Sequence, residues 1–158
     1  MTTTAQLATH LRQVYFGGNW TWVNLKDTLQ DITWQQASAR VYNCNTIAAL
    51  VYHIGYYVTA ISHVLKGTPL AAHDQYSFDH PPIQSQTDWE QLVNKTWQDA
   101  ETYIELAEQL PDSRLPEIFV EEKYGTYHRN LLGLIEHTHY HLGQIVILKK
   151  IIGQMEKG

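Results

Sequence analysis

The chain has 158 residues, 44% of them hydrophobic and 11% aromatic, with a formal charge of −5; that is enough for one domain, residues 1–158, to bury a core without disulfides. The acidic balance leaves no basic footprint for nucleic acid or for an anionic membrane surface. Cys44 is the single cysteine, so an internal disulfide is excluded and a reducing compartment is expected.

The residues from Met1 to His10 carry neither a basic region nor an apolar run, and the later apolar segments are interrupted by polar residues. The expectation is a cytoplasmic protein without a signal peptide or a membrane span. Four long segments have helical periodicity. The first runs from about Thr4 to Leu29 and is broken or bent at Gly17-Gly18-Asn19. The second follows Asn45, a plausible N-cap, and extends through His53 to about Leu65, stopping before Gly67-Thr68-Pro69. Residues 67–86 then form a polar connection longer than most helix–helix links, in the position of a lid. Thr87-Asp88-Trp89-Glu90 has the spacing of a capping box and starts a third helix that ends just before Pro111. After a Glu-rich stretch containing Gly125, in which Pro116 to Tyr124 is a candidate extended segment, the fourth helix covers about Tyr127 to Ile152 and is closed by Gly153. No stretch alternates as a strand would, and no repeat or composition shift marks a second domain, so the expected fold is all-α, a four-helix bundle.

The fourth helix holds the densest chemistry, three of the nine histidines within His137-Thr138-His139-Tyr140-His141. At about 100° per residue, His141 falls near 40° from His137 and His139 near 200°, so His137 and His141 share a face and His139 points away. Two imidazoles one turn apart suit one metal ion, but the pair needs a third ligand. His53 is the best donor because its apolar surround turns it inward; the structural alternative is a core histidine bonded to a carbonyl or a tyrosine.

Gln144 projects on the same face and is placed either to bond a ligating group or bound substrate, or to pack helices through Gly143. Asn130 and Gly133 precede His137 on that face, leaving room and one polar contact above the site. Tyr56 and Tyr57 lie one turn from His53 and are candidates for the pocket wall. Most of His10, His63, His73, His80 and His128 are expected to be solvated, Cys44 to be a partly buried thiol, and Glu117 to Glu122 to be a solvated acidic surface.

The fourth helix also has two apolar sides. Leu134, His141, Ile145, Leu148 and Ile152 lie within about 80° of His137, whereas Ile135, Leu142 and Val146 cluster near 140–180° with Leu131 beside them. Either the helix is central in the bundle, or the second stripe is a homodimer contact.

Two motifs resemble those of the DinB-like family of four-helix metalloproteins, which includes thiol-dependent S-transferases of the YfiT kind. The segment from Asn45 to Ile54 resembles the second-helix motif around the family's first histidine ligand. The segment from His137 to Ile145 resembles the fourth-helix motif, two histidines followed by Gly143-Gln144. Trp20, after the glycine break, and the Leu-rich first helix agree more loosely with one branch. The element order matches over nearly the whole length, and only the two motifs are specific. The resemblance implies metal ligands at His53, His137 and His141; the family's name derives from DNA-damage induction and implies no DNA contact.

Three neutral imidazoles leave a divalent ion with a position open to water or substrate. Zinc or nickel is the leading expectation, with iron and manganese also accepted by imidazole. The ion would either lower the pKa of water for hydrolysis or orient a thiolate for attack on a small electrophile. The family comparison favours the second route, with a low-molecular-weight thiol as cosubstrate. The expected function is therefore a metal-dependent thiol S-transferase or hydrolase acting on a small-molecule substrate. The alternatives are a non-catalytic bundle whose metal fastens helices while its surface mediates dimerisation or partner binding, and a metal-free histidine network.

Overall fold

Short polar side chains start every α-helix in the structure, a computed structural model that describes all residues from Met1 to Gly158. The six helices are α1 (Thr3–Phe16), α2 (Leu25–Leu29), α3 (Trp34–Ser38), α4 (Ile47–Leu65), α5 (Gln86–Gln109) and α6 (Tyr127–Met155). Their N-caps are Thr2, Asn24, Thr33, Thr46, Ser85 and Thr126, and each side chain accepts a backbone N–H from the first turn. Those N–H groups have no partner within the helix, so local sequence is enough to set where each helix begins. The all-α expectation holds: the connections add three one-turn 3-10 helices, and the only extended pairing is an isolated bridge between Ile118 and Thr126.

Several boundaries differ from the sequence reading. Thr46, not Asn45, caps α4, and α5 begins after Ser85, two residues before the expected box, because Ser85 Oγ accepts from the Asp88 N–H at 3.1 Å. The helix of α6 passes through Gly153 to Met155; a glycine stops a helix only where the chain adopts the left-handed conformation, and Gly153 has a negative φ. The short helix α3 has no long apolar period to announce it and is fixed by a Thr33–Gln36 capping box. At the predicted break, Gly17 and Gly18 take φ of +110° and +91°, which turns the chain out of α1 toward α2.

Among the four long helices, α1 packs against α5 and α6, and α4 packs against the same two. Thus α6 has two long neighbours, and both of its apolar stripes are covered within one chain: Leu131, Ile135 and Leu142 are as buried as Leu134, Ile145 and Leu148. The second stripe marks a central helix and does not require a second copy. Helix α4 is long and apolar enough to cross a membrane by length and composition, contrary to the expectation that no segment is, and most of it is buried inside the protein. Its apolar surface is used against α5, α6 and α3.

The core includes Leu11, Tyr15, Ile54, Trp89, Tyr103 and Ile104, all almost wholly buried. Polar contacts pin the short elements to it. The Trp89 indole N–H donates to Ile32 O at 2.8 Å, Lys149 Nζ donates to Thr28 O at 2.7 Å, and Asp112 accepts from the N–H groups of Thr3 and Thr4 at 2.8 and 2.9 Å. The contact between α4 and α6 is the one that matters for chemistry, because the three candidate ligands lie on either side of it.

Candidate metal centre

His53 from α4 and the pair His137 and His141 from α6 converge: one imidazole nitrogen from each lies within 4.8 Å of the other two. The ring centroids are 4.5 to 4.9 Å apart. His53 and His141 are buried, at 8% and 7% exposure, and His137 is partly buried.

The outer nitrogens decide which protons the cluster carries. His53 Nδ1 lies 3.3 Å from the carbonyl oxygen of Ser77, and His141 Nδ1 lies 2.6 Å from Gln144 Oε1. A carbonyl oxygen only accepts, so both Nδ1 atoms carry hydrogen and both neutral rings present a bare Nε2 lone pair. Gln144 is held in this orientation by its Nε2, which donates to Tyr140 Oη at 3.4 Å. His137 Nε2 lies 3.0 Å from His53 Nε2, while His137 Nδ1 is buried without a hydrogen-bond partner. A single N–H on His137 can serve only one of the two bare lone pairs that face it.

More protons are disfavoured. Desolvation, reinforced by the neighbouring His141 and His53, pushes the pKa of His137 down to about 4. Desolvation and His141 lower that of His53, and desolvation lowers that of His141 against the opposing pull of Gln144. Three imidazoles kept neutral at neutral pH, with lone pairs in excess of donors, fit a divalent cation. At a metal–nitrogen distance of about 2.1 Å, two nitrogens at a tetrahedral angle lie about 3.4 Å apart, so the 3.0 Å contact has to open by a few tenths of an ångström.

The connection after α4 closes one side of this cluster. Phe78 stacks on His53 with centroids 3.9 Å apart and planes at 6°, and Ser77 supplies the carbonyl described above. Tyr57 packs edge-on against both His53 and His137 and donates its hydroxyl to Asp74 Oδ1 at 2.7 Å; burial and that carboxylate push its pKa up to about 12. Ser77, Phe78 and Asp74 were not singled out in the sequence, because a loop has no periodicity to show which of its residues turn inward.

The remaining candidates separate by location. Tyr56 turns away from the histidines; its hydroxyl accepts from the His73 N–H at 2.8 Å and donates to His73 O at 3.1 Å, so it anchors the connection. Asn130 lines a cleft of about 640 Å³ that reaches His137, but its amide donates to Tyr124 O and Thr126 O at the start of α6. Gly133 lines the same cleft, and a Cβ there would meet nothing within 4 Å. Gly143 is exposed and packs no helix, so it gives Gln144 no packing role.

His139 faces the end of the chain that carries α1: buried Asn19, in the turn after that helix, donates to its Nε2 at 3.1 Å, and the His10 ring of α1 lies 6.3 Å away. His63 and His128 are exposed and stand apart from the cluster. Cys44 is exposed, against the expectation of a partly buried thiol, because it lies in the polar turn before α4 and not on a packed face. Trp20, the looser family feature, is 93% exposed. Comparison with protein-family models, with curated proteins and with solved structures found no match to the chain.

Proposed function

We propose that the chain is a DinB-like four-helix metalloprotein that binds zinc or nickel through His53, His137 and His141 and uses it as a thiol S-transferase or hydrolase on a small electrophile. The observation that carries this reading is the convergence of three neutral imidazoles beside an open cleft. The cyclic packing of α1, α5, α4 and α6 supports the bundle type. Exposed Tyr140, Ile147 and Met155 on one side of α6 are the remaining support for a homodimer. A cytoplasmic setting suits a free thiol at Cys44.

A divalent ion held by three imidazoles supplies Lewis acidity at its open position, which lowers the pKa of water or of a thiol brought there. The chain's own residues do the rest. Ser77 O and Gln144 fix the ring orientations of His53 and His141, which keeps their lone pairs aimed inward without a conformational search. Phe78 and Tyr57 exclude water from one side, and the cleft on the His137 side admits a small molecule. Tyr57, with its pKa raised, stays protonated and engaged with Asp74.

The second reading is a clamp, in which the ion joins α4 to α6 and has no catalytic task. The three-donor set favours catalysis, because a structural zinc site is closed by a fourth protein ligand. Metal analysis of protein purified without an affinity tag, alongside His53→Ala and His137→Ala, tests the centre: the expected result is stoichiometric metal in the parent and loss in both variants. Unchanged metal in both variants removes this reading. A screen of metal-reconstituted protein with several thiols and electrophiles, with His141→Ala as the negative control, then separates enzyme from clamp.

A further inference from the structure

The cleft that ends at His137 runs along α6 and is bounded across from it by Tyr57 and Ile61 of α4. Its α6 wall carries one charge of each sign. Glu136 stands beside His137, and Arg129 stands eight residues earlier, about 12 Å along the helix axis.

Arg129 is free to bind. It takes part in none of the four ion pairs of the protein, and only its backbone N–H makes a hydrogen bond, to Thr126. Arg12 and Arg114, by contrast, are engaged by Glu101 and Glu117. Its placement is built into the backbone: the Arg129 stem lies over Gly125, where a Cβ would come within 2.7 Å of Arg129 Cδ. Gly125 has φ of +74°, a conformation that other residues rarely adopt. The turn before α6 thus keeps a seat open for the arginine stem, and Arg129 lines the cleft.

We propose that this cleft selects a small molecule with a terminal carboxylate, bound by Arg129, whose other end reaches the histidine centre at the opposite end of the cleft. The proposal deepens the metal reading above and rests on it. The direction follows from the two ends: Arg129 attracts a carboxylate at one, and the histidine centre offers a metal's open position to a thiolate at the other. A thiol is the group suited to the metal end, so the ligand is an ω-mercaptocarboxylate in its simplest form.

The test is isothermal titration calorimetry on zinc-loaded full-length protein with ω-mercaptocarboxylates of graded chain length and the matched ω-mercaptoalcohols. The acid should bind about tenfold more tightly than the alcohol once the chain spans the cleft, and the preference should shrink with added salt. Arg129→Gln should abolish the preference while zinc content and the affinity for the alcohol stay unchanged. Arg129→Lys should restore part of it. Equal affinity for acid and alcohol in the parent protein, or a preference that survives in Arg129→Gln, overturns the proposal with the metal centre intact. Failure to take up zinc, seen by metal analysis before any thiol is added, removes the metal reading and this proposal together.

Discussion

Replacing Gln144 by alanine tests whether the side chain behind His141 matters to the metal centre. Gln144 Oε1 accepts from His141 Nδ1 at 2.6 Å and is steadied by Tyr140, so the amide fixes both the tautomer and the rotation of the ring. Without it, His141 can carry its hydrogen on Nε2, the atom that should face the ion, and can turn about its side-chain bonds. Removing such an outer partner typically weakens metal binding by about 10- to 100-fold, equivalent to about 1.4 to 2.7 kcal/mol. Gln144 is only partly buried, so its own loss leaves the fold intact and the effect should appear in affinity and not in helicity. The assay is competition for zinc against a chromophoric chelator at pH 7, with circular dichroism on the same samples. Gln144→Glu keeps an acceptor and adds a negative charge, so it should bind at least as tightly as the parent. An alanine variant within twofold of the parent, in a protein whose His141→Ala variant has lost metal, would refute the orienting role.

Tyr57→Phe removes the 2.7 Å hydrogen bond to Asp74 while leaving the ring against His53 and His137; amide hydrogen exchange should rise across residues 73–78 with metal content unchanged. Gly133→Ala should stabilise the protein by about 0.5 to 1 kcal/mol in urea unfolding, because the new Cβ meets no atom within 4 Å and alanine favours the helix. Gly133→Leu should fill the cleft and weaken thiol binding at constant metal content, measured by calorimetry. For metal-stripped protein, the depressed His137 pKa fixes the sign of the pH dependence. Below about pH 6.5 the unfolded state binds a proton that the folded state refuses until about pH 4, so stability falls across that window and then levels. The loss from His137 is on the order of 1 to 2 kcal/mol once solvent screening of this partly exposed ring is allowed for, read from urea midpoints between pH 7 and pH 4, and His137→Ala should show a shallower fall. An equal fall in both proteins would assign the dependence to other groups.

What was legible in the chain depends on near neighbours, although α2 and α3, set by the equally local caps Asn24 and Thr33–Gln36, have no long apolar period to mark them. Helix starts follow from Ser, Thr and Asn side chains within three residues of the N–H groups they cap, and even where Thr46 and Ser85 displaced the expected caps the error was one or two residues. The pairing of His137 with His141, the turn of His139 away from both and the reach of Gln144 to His141 all follow from the pitch of one helix. The two apolar stripes of α6 were equally visible, but one sequence cannot say whether another helix or another molecule covers a stripe; the packing of α1 decided it.

Tertiary structure alone decided that His53 joins the pair on α6, and what surrounds it. His53 is 84 residues from His137, and its two sequence readings, ligand or core histidine bonded to a carbonyl, prove compatible because its two nitrogens face different ways, Nδ1 to Ser77 O and Nε2 to His137. Ser77, Phe78 and Asp74 became visible only once the connection folded back over α4, since a loop's inward residues are chosen by what they land on. Local pitch sets which side chains share a helix face, whereas the meeting of two faces depends on how the whole core closes.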